Sequence, residues 1–106
     1  MTRPNETQCS EDCPVRKTSK VIEGKWTTLI VRDLLSGKKR YSELQRSLEK
    51  ISPKLLAARL RMLEKNRLVK RTVHPTVPAT TEYELTPLGR KLERVIISMS
   101  EFGQLL

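Results

Sequence analysis

The chain has 106 residues, 37% of them hydrophobic, and a formal net charge of +9, which together allow one domain with a modest core. An aromatic content of 4% argues against binding of single-stranded nucleic acid, because base stacking needs exposed aromatic side chains. No apolar run approaches the roughly 20 residues of a membrane span, and residues 1–6 are too polar for a secretion signal. We therefore expect a cytoplasmic protein with no membrane partner, whose two cysteines are reduced thiols.

The positive charge is concentrated in one part of the chain. Residues 38–71 contain twelve Lys and Arg residues against three Glu residues, so this third of the chain carries the whole net charge of +9. Such charge can serve solubility alone, but its concentration in one segment favours a surface that binds a polyanion such as DNA.

Helical signals begin after a short polar segment. Residues 1–12 have no apolar pattern and are predicted to form a flexible N-terminal arm, with the folded domain over residues 13–106. Pro14 suits the first position of a helix, and apolar residues at helical spacing predict a first helix over residues 14–23.

The second predicted helix covers residues 25–36 and ends at Gly37, because glycine commonly follows the C-terminus of a helix. Its apolar residues cover more than a single stripe, so the helix is expected to be central and largely buried. Trp26 lies in this helix and is expected to belong to the core rather than to a ligand site.

Two helices with local start signals follow. The sequence Ser-Glu-Leu-Gln that begins at Ser42 is typical of a capping box, with Ser42 as the N-cap residue and Gln45 at the third helical position. Ser52 and Pro53 form the next start signal, for a helix that runs to about residue 66. Two capped helices joined by a short turn predict a helix-turn-helix.

A β-hairpin is predicted directly after the helix-turn-helix, in the position of a wing. β-Branched residues alternate over residues 68–74 and 81–85, and the proline-rich segment between them is unsuited to a strand. Residues 39–41 are short and can be extended, which would add a third strand to the wing sheet.

Thr86 and Pro87 repeat the N-cap and proline pattern and open the last predicted helix. Its apolar residues follow a heptad repeat, which is typical of a helix that pairs with another helix. The repeat consists of Leu88, Leu92, Val95, Met99, Phe102 and Leu106. The predicted fold is therefore mainly α with a small β-hairpin: a winged helix-turn-helix with a three-helix core, a two- to three-stranded wing sheet and terminal dimerisation helices.

The fourth helix has the pattern of a recognition helix. Leu56, Leu60 and Leu63 follow the spacing of a buried stripe, so the opposite face carries basic side chains around small residues. Such a face can approach the major groove of DNA and bind base edges, although each cation taken alone is more typical of a solvated surface. The predicted DNA-binding residues of this helix are Ser52, Lys54, Ala57, Ala58, Arg61 and Lys65. Arg59 lies nearer the buried boundary and is expected to form a structural ion pair.

A second group of side chains precedes the third helix or lies in the hairpin. Lys and Arg side chains and helix N-termini bind phosphate oxygens, so this group is expected to contact the DNA backbone or the minor groove. The candidates are Lys38, Lys39, Arg40, Ser42, Arg71, His74 and Thr80.

The order of the motifs over residues 13–103 resembles that of the HxlR-type helix-turn-helix regulators. The motifs are Cys13-Pro14, Gly24-Lys25-Trp26, Ile51-Ser52-Pro53-Lys54, Arg59-Leu60, Leu63-Glu64, Val73-His74-Pro75, Val77-Pro78, Glu82-Tyr83, Leu85-Thr86 and Leu88-Gly89. The resemblance implies a bacterial or archaeal repressor or activator, with repression expected, that binds a pseudo-palindromic operator in double-stranded DNA as a homodimer. It also implies a dimer interface on the terminal helices, made of Val15, Leu88, Leu92, Val95, Met99, Phe102 and Leu106.

The resemblance also concerns Cys13, which matches a cysteine that some family members use to sense oxidants or electrophiles. A thiol at a helix N-terminus is reactive because the thiolate is favoured there. Cys13 can equally be a small N-cap residue with no redox role. Cys9 departs from the family pattern, and its position permits a local disulfide or a resolving partner for Cys13.

Other functional classes fit the sequence less well. One histidine, scattered carboxylates and the lack of a Gly-rich phosphate loop leave no catalytic constellation, so neither enzyme activity nor a cofactor is expected. Cys9, Cys13 and His74 are too few for a zinc site, so no metal is expected. The main alternative is a winged helix that binds protein in a larger complex, a class that usually lacks a basic recognition face. The sequence does not determine the operator, the regulated genes or any small-molecule effector.

Overall fold

The computed structural model describes residues 12–106, so Cys9 and the predicted arm, apart from Asp12, lie outside the described residues. The elements in chain order are α1 (Pro14–Val21), α2 (Lys25–Leu35), β1 (Lys39–Arg40), α3 (Tyr41–Ser47), α4 (Pro53–Lys65), β2 (Val69–His74), β3 (Thr80–Leu85), α5 (Pro87–Arg90) and α6 (Glu93–Gly103). The predicted fold class, a mainly helical winged helix-turn-helix with a small sheet, is confirmed. No helix in the described part of the chain is long and apolar enough to cross a membrane.

The hydrophobic core is built from α2, α3, α4 and one face of the sheet. Ile30, Val31 and Leu34 of α2 are fully buried, which confirms that this helix is central. Trp26 packs against the same cluster, as predicted, and Lys25 Nζ lies 4.6 Å from the centroid of its ring. The other buried hydrophobic residues are Leu44, Leu48, Ile51, Leu56, Leu60, Leu63, Leu68, Val69, Tyr83 and Leu85.

The three strands form an antiparallel sheet in the order β1-β3-β2, so β1 extends the hairpin by a third strand. Directly opposed residues on neighbouring antiparallel strands carry their side chains on the same face. Tyr83 is buried and is opposite both Lys39 and Arg71, so these two cations lie on the face that packs on the helices. The outer face carries Arg40, Thr72, His74, Thr80 and Glu82.

The start of α3 differs from the prediction. Arg40, not Ser42, is the N-cap residue, and its backbone N–H donates to Glu43 Oε1 at 2.8 Å. Strand β1 pairs with β3 as far as Arg40, so the backbone is extended there and enters the helix at Tyr41. Ser42 therefore lies inside the helix, and the predicted capping box of Ser42 and Gln45 is wrong.

The first turn of α5 is anchored to the connection between α4 and β2. Thr86 is the N-cap residue, as predicted; its Oγ1 accepts a hydrogen bond from Gly89 N at 3.0 Å and donates one to Arg67 O at 2.7 Å. Gly89 approaches the backbone of Leu68 so closely that a Cβ atom on Gly89 would lie 2.0 Å from the Leu68 carbonyl oxygen. Only glycine fits this contact.

The prediction of one continuous terminal helix is wrong, because α5 and α6 are separate. After Gly89 the backbone forms two tight hydrogen bonds, from Lys91 N to Leu88 O at 3.1 Å and from Leu92 N to Gly89 O at 3.0 Å. Bonds of this i to i+3 type wind the chain more tightly than an α-helix and rotate the residues that follow. The heptad repeat is therefore divided between two helices, and Leu92 and Ile96 pack against the protein's own core.

Gly89→Ala is expected to destabilise the protein by about 3 kcal/mol, because the added Cβ meets backbone atoms of Leu68 rather than a flexible side chain. Gly103→Ala is the matched control: no atom lies within 4 Å of its Cβ position, and alanine favours a helix over glycine by up to about 1 kcal/mol. Urea unfolding at one fixed protein concentration measures both variants. Equal stabilities would contradict the close contact at Gly89.

Candidate nucleic-acid interface

Helix α4 has one buried side and one outward side. Leu56, Leu60 and Leu63 are at most 1% exposed, which confirms the predicted buried stripe. The outward side carries the exposed residues Lys54, Arg61 and Lys65 and the half-buried residues Ala57 and Ala58. The helix therefore presents long cationic side chains around a stretch with little side-chain bulk, an arrangement that suits close approach to a DNA groove.

The start of α4 is fixed by its own cap and by α3. Ser52 is the N-cap residue, as predicted, and its Oγ accepts a hydrogen bond from the backbone N–H three residues later at 3.1 Å. Tyr41 Oη donates to Pro53 O at 3.0 Å, and Gln45 Nε2 donates to Ile51 O at 2.7 Å. These two hydrogen bonds tie α3 to the turn and so set the direction in which α4 leaves it.

Arg59 belongs to neither the buried stripe nor the outward side of α4. Its guanidinium group faces the connection between α1 and α2, where it lies 3.5 Å from the position that a Cβ atom on Gly24 would occupy. Its Nε is buried without a hydrogen-bond partner within residues 12–106. The structural ion pair predicted for Arg59 is not found in this part of the chain.

An ion pair joins α4 to the wing sheet. Arg71 Nε of β2 lies 3.7 Å from Glu64 Oε1 of α4, next to the buried Tyr83. Burial raises the pKa of the Tyr83 phenol above its ordinary value, and the charge of Arg71 opposes that rise, so the phenol is neutral at physiological pH. Arg71 thus holds the wing against α4 while 47% of its side chain stays exposed, which leaves its predicted phosphate contact open.

Three of the predicted phosphate contacts come together beside the connection between β2 and β3, on the tip side of the wing. Arg40, Ser42 and Thr80 line a shallow cleft of about 230 Å³ between the start of α3 and the start of β3. Lys39 lies on the other face of the sheet, where it is half-buried opposite Tyr83. The cleft thus includes the first residues of α3, the helix that precedes α4 in the helix-turn-helix.

The remaining two predicted contacts, Lys38 and His74, share an acidic neighbour, and this contact was not predicted from the sequence. Glu82 Oε1 lies 3.2 Å from His74 Nε2 and 3.9 Å from Lys38 Nζ. A carboxylate only accepts hydrogen bonds, so this contact is a hydrogen bond when His74 Nε2 carries the ring proton. The three side chains meet because of strand register, and register depends on pairing between distant parts of the chain.

Apolar side chains are exposed on α1, α5 and α6. Of the residues predicted for the dimer interface, those that are exposed are Val15, Leu88, Met99, Phe102 and Leu106. Leu92 and Val95 are half-buried. Ile97 and Leu105 are also exposed, at 50% and 81%, although the predicted heptad repeat did not include them. A cluster of exposed apolar side chains on adjoining elements is typical of a surface that another molecule covers.

Cys13 is the N-cap residue of α1 and is half-buried. Its carbonyl oxygen accepts a hydrogen bond from Lys17 N at 2.9 Å, so the helix begins where the sequence predicted. Cys13 is two positions before Val15, which is one of the exposed apolar residues of α1.

The family model described as HxlR-like helix-turn-helix matches residues 21–106. Among curated proteins, the uncharacterized HTH-type transcriptional regulator YdeP of Bacillus subtilis (strain 168) is 40% identical over 94 residues, which are 89% of this chain and 73% of that protein.

Two solved structures extend the similarity to the fold. A protein of Porphyromonas gingivalis W83, described as a transcriptional regulator of the MarR family, has a TM-score of 0.87 and 40% identity, over 92% of this chain and 96% of that one. The redox regulator HypR in its oxidized form has a TM-score of 0.82 and 39% identity, over 89% of this chain and 97% of that one. The chain therefore belongs to the HxlR-like helix-turn-helix family of transcriptional regulators.

Proposed function

We propose that this chain is a sequence-specific transcription regulator that binds double-stranded DNA in the cytoplasm as a homodimer. The observation that carries the proposal is the outward side of α4, where three exposed cations surround Ala57 and Ala58. That side belongs to the segment of residues 38–71, which holds the whole net positive charge. Repression, by occupation of an operator, is the outcome that the family resemblance favours.

In the proposed complex, α4 lies in the major groove, which is wide enough to admit one α-helix. Ala57 and Ala58 allow the backbone to approach the base edges. Arg61 can donate two hydrogen bonds to guanine O6 and N7, and Lys54 can reach a base or a neighbouring phosphate. Ser52 and Lys65, at the two ends of the outward side, are proposed to contact the DNA backbone.

The tip side of the wing and the start of α3 supply the proposed phosphate contacts that set the register of the protein on the duplex. Arg40, Ser42 and Thr80 already line one cleft, so they can hold a single stretch of DNA backbone. Arg71 and Lys39 approach from the inner face of the sheet. Contacts of this kind raise affinity for every sequence and make it depend on salt.

The proposed dimer forms through the exposed apolar side chains of α1, α5 and α6. These elements adjoin in one chain, since Thr18 and Val21 of α1 line a groove of about 440 Å³ together with Leu88 and Leu92. A twofold axis through this surface presents two copies of α4 to one face of a duplex. Half-sites about 34–36 Å apart, one turn of DNA, would then be bound together.

A module that binds only protein remains the second candidate. It would use the same exposed apolar surface, but it would not need cations on the outward side of α4. The exposed Lys54, Arg61 and Lys65 favour DNA binding over this alternative.

We also propose that oxidation at Cys13 regulates DNA binding. Two observations support this: HypR, named as a redox regulator, is similar over 89% of this chain, and Cys13 begins the helix that carries part of the proposed dimer surface. A chemical change there can alter the spacing between the two copies of α4. A role for Cys9 as its resolving partner is proposed from the sequence alone, because Cys9 lies outside the described residues.

Treatment with diamide is expected to change the affinity of the wild-type protein for its operator and to leave Cys13→Ser unchanged. Gel-shift titrations with and without oxidant measure this, and thiol reductant should restore the original affinity of the wild type. An unaffected wild type would exclude sensing through Cys13.

Arg61→Ala is expected to weaken binding to a site selected from a random duplex pool by about 1–3 kcal/mol, or roughly 5- to 150-fold, because a base contact is lost. Binding to a scrambled duplex should fall much less. Arg90→Ala, which removes the same charge from an exposed position on α5, is the matched control and should bind both duplexes like the wild type. Equal losses on the two duplexes would assign Arg61 to phosphate, and no loss would remove α4 from the interface.

A further inference from the structure

On the outer face of the wing sheet, the acidic side chain of Glu82 lies among the cations proposed to meet DNA. Glu82 lies in β3, opposite Arg40 of β1 and Thr72 of β2, so it is at the centre of the three-stranded sheet. Its Oε1 is within 3.2 Å of His74 Nε2 and 3.9 Å of Lys38 Nζ. One carboxylate therefore contacts the ammonium group of Lys38, which directly precedes β1, and the imidazole of His74, the last residue of β2.

The geometry favours retention of these pairs. The side chain of Glu82 is only 22% exposed, whereas those of Lys38 and His74 are 62% and 45% exposed. A partly buried carboxylate is screened less by water and salt than an exposed one. The carboxylate is thus the most enclosed of the three side chains.

A cation that is paired within the protein releases fewer counterions when it meets a phosphate. Affinity for DNA of any sequence comes chiefly from such phosphate contacts, and discrimination comes from contacts to base edges. Within residues 12–106, Glu82 forms no hydrogen bond or ion pair with the outward side of α4, which is proposed to read bases. It therefore acts on the sequence-independent part of the affinity alone.

We propose that Glu82 is a specificity-determining residue of the DNA-binding surface, which withholds Lys38 and His74 from phosphates and so limits binding to random DNA. This inference rests on the proposed function. It changes the roles of Lys38 and His74 from the direct phosphate contacts that the sequence suggested to contacts that are restrained in the wild-type protein. Limited binding to random DNA matters because a genome offers a vast excess of competing sites.

The test compares Glu82→Gln with Glu84→Gln. Both remove one negative charge from the same strand and the same face. Glu84 is exposed and, although Lys70 is opposite it in the sheet, it forms no salt bridge within residues 12–106. Glutamine at position 82 keeps the size of the side chain and a hydrogen-bond acceptor for His74, and thermal unfolding checks that both variants fold. The probe is a random-sequence duplex, titrated at several salt concentrations.

Glu82→Gln is expected to bind the random duplex more tightly, with a plot of log affinity against log salt that is steeper by about 0.9 for each cation released. If the variant and the wild type bind equally at 1 M salt, one released cation makes the variant bind about eightfold more tightly than the wild type at 0.1 M salt. Glu84→Gln should keep the wild-type slope. Equal slopes for the two variants would overturn the proposal.

Lys38→Met tests whether Glu82 keeps Lys38 from binding phosphate or whether Lys38 already contacts DNA in the wild-type protein. In the wild-type background, Lys38→Met should change the slope of log affinity against log salt little. In the Glu82→Gln background, it should make that slope shallower by about 0.9, which reverses the increase due to one released cation. The same loss in both backgrounds would overturn the proposal, because Lys38 would then bind phosphate in the presence of Glu82. Failure of the wild type to bind any duplex would instead refute the proposed function, and with it this inference.

Discussion

The burial of three leucines on one side of α4 is the interaction on which the rest of the structure depends. Leu56, Leu60 and Leu63 lose nearly all their exposure to solvent, and full burial stabilises each leucine by about 1.5–3 kcal/mol. A half-turn rotation of the helix would expose all three and would bury Lys54 and Arg61, which is costly for charges without partners. Core packing therefore fixes which side of α4 faces outward in the absence of DNA.

The segment between α4 and β2 links the orientation of α4 to the positions of the wing and of α5. Glu64, at the end of α4, pairs with Arg71 of the wing, and Leu68 lies in the turn between them. The Leu68 carbonyl accepts a hydrogen bond from Thr86 N at 3.0 Å and is covered by Gly89. The proposed recognition helix, the wing and the first turn of the proposed dimer surface thus meet at one short connection, so their relative positions are set together.

The structural features that could be predicted from the sequence, such as helix caps, depend on residues close together in the chain. Ser52 and Thr86 cap their helices as expected, because each acts on a backbone N–H three residues away. Ser42 has a similar sequence signal but does not cap α3. Pairing of β1 with β3 keeps the backbone extended as far as Arg40, so Arg40 becomes the N-cap residue. The contact of Gly89 with a distant carbonyl and the position of Glu82 among cations depend on tertiary packing and strand register, which no local pattern encodes.

Hydroxyl-radical footprinting on an operator selected from a random duplex pool tests the central claim most directly, because it locates the protein on both strands at once. The account predicts two protected tracts with related sequences, whose centres lie about 10–10.5 base pairs apart or at a multiple of that distance. A single protected tract, or the absence of any preferred sequence, would contradict a twofold pair of recognition helices.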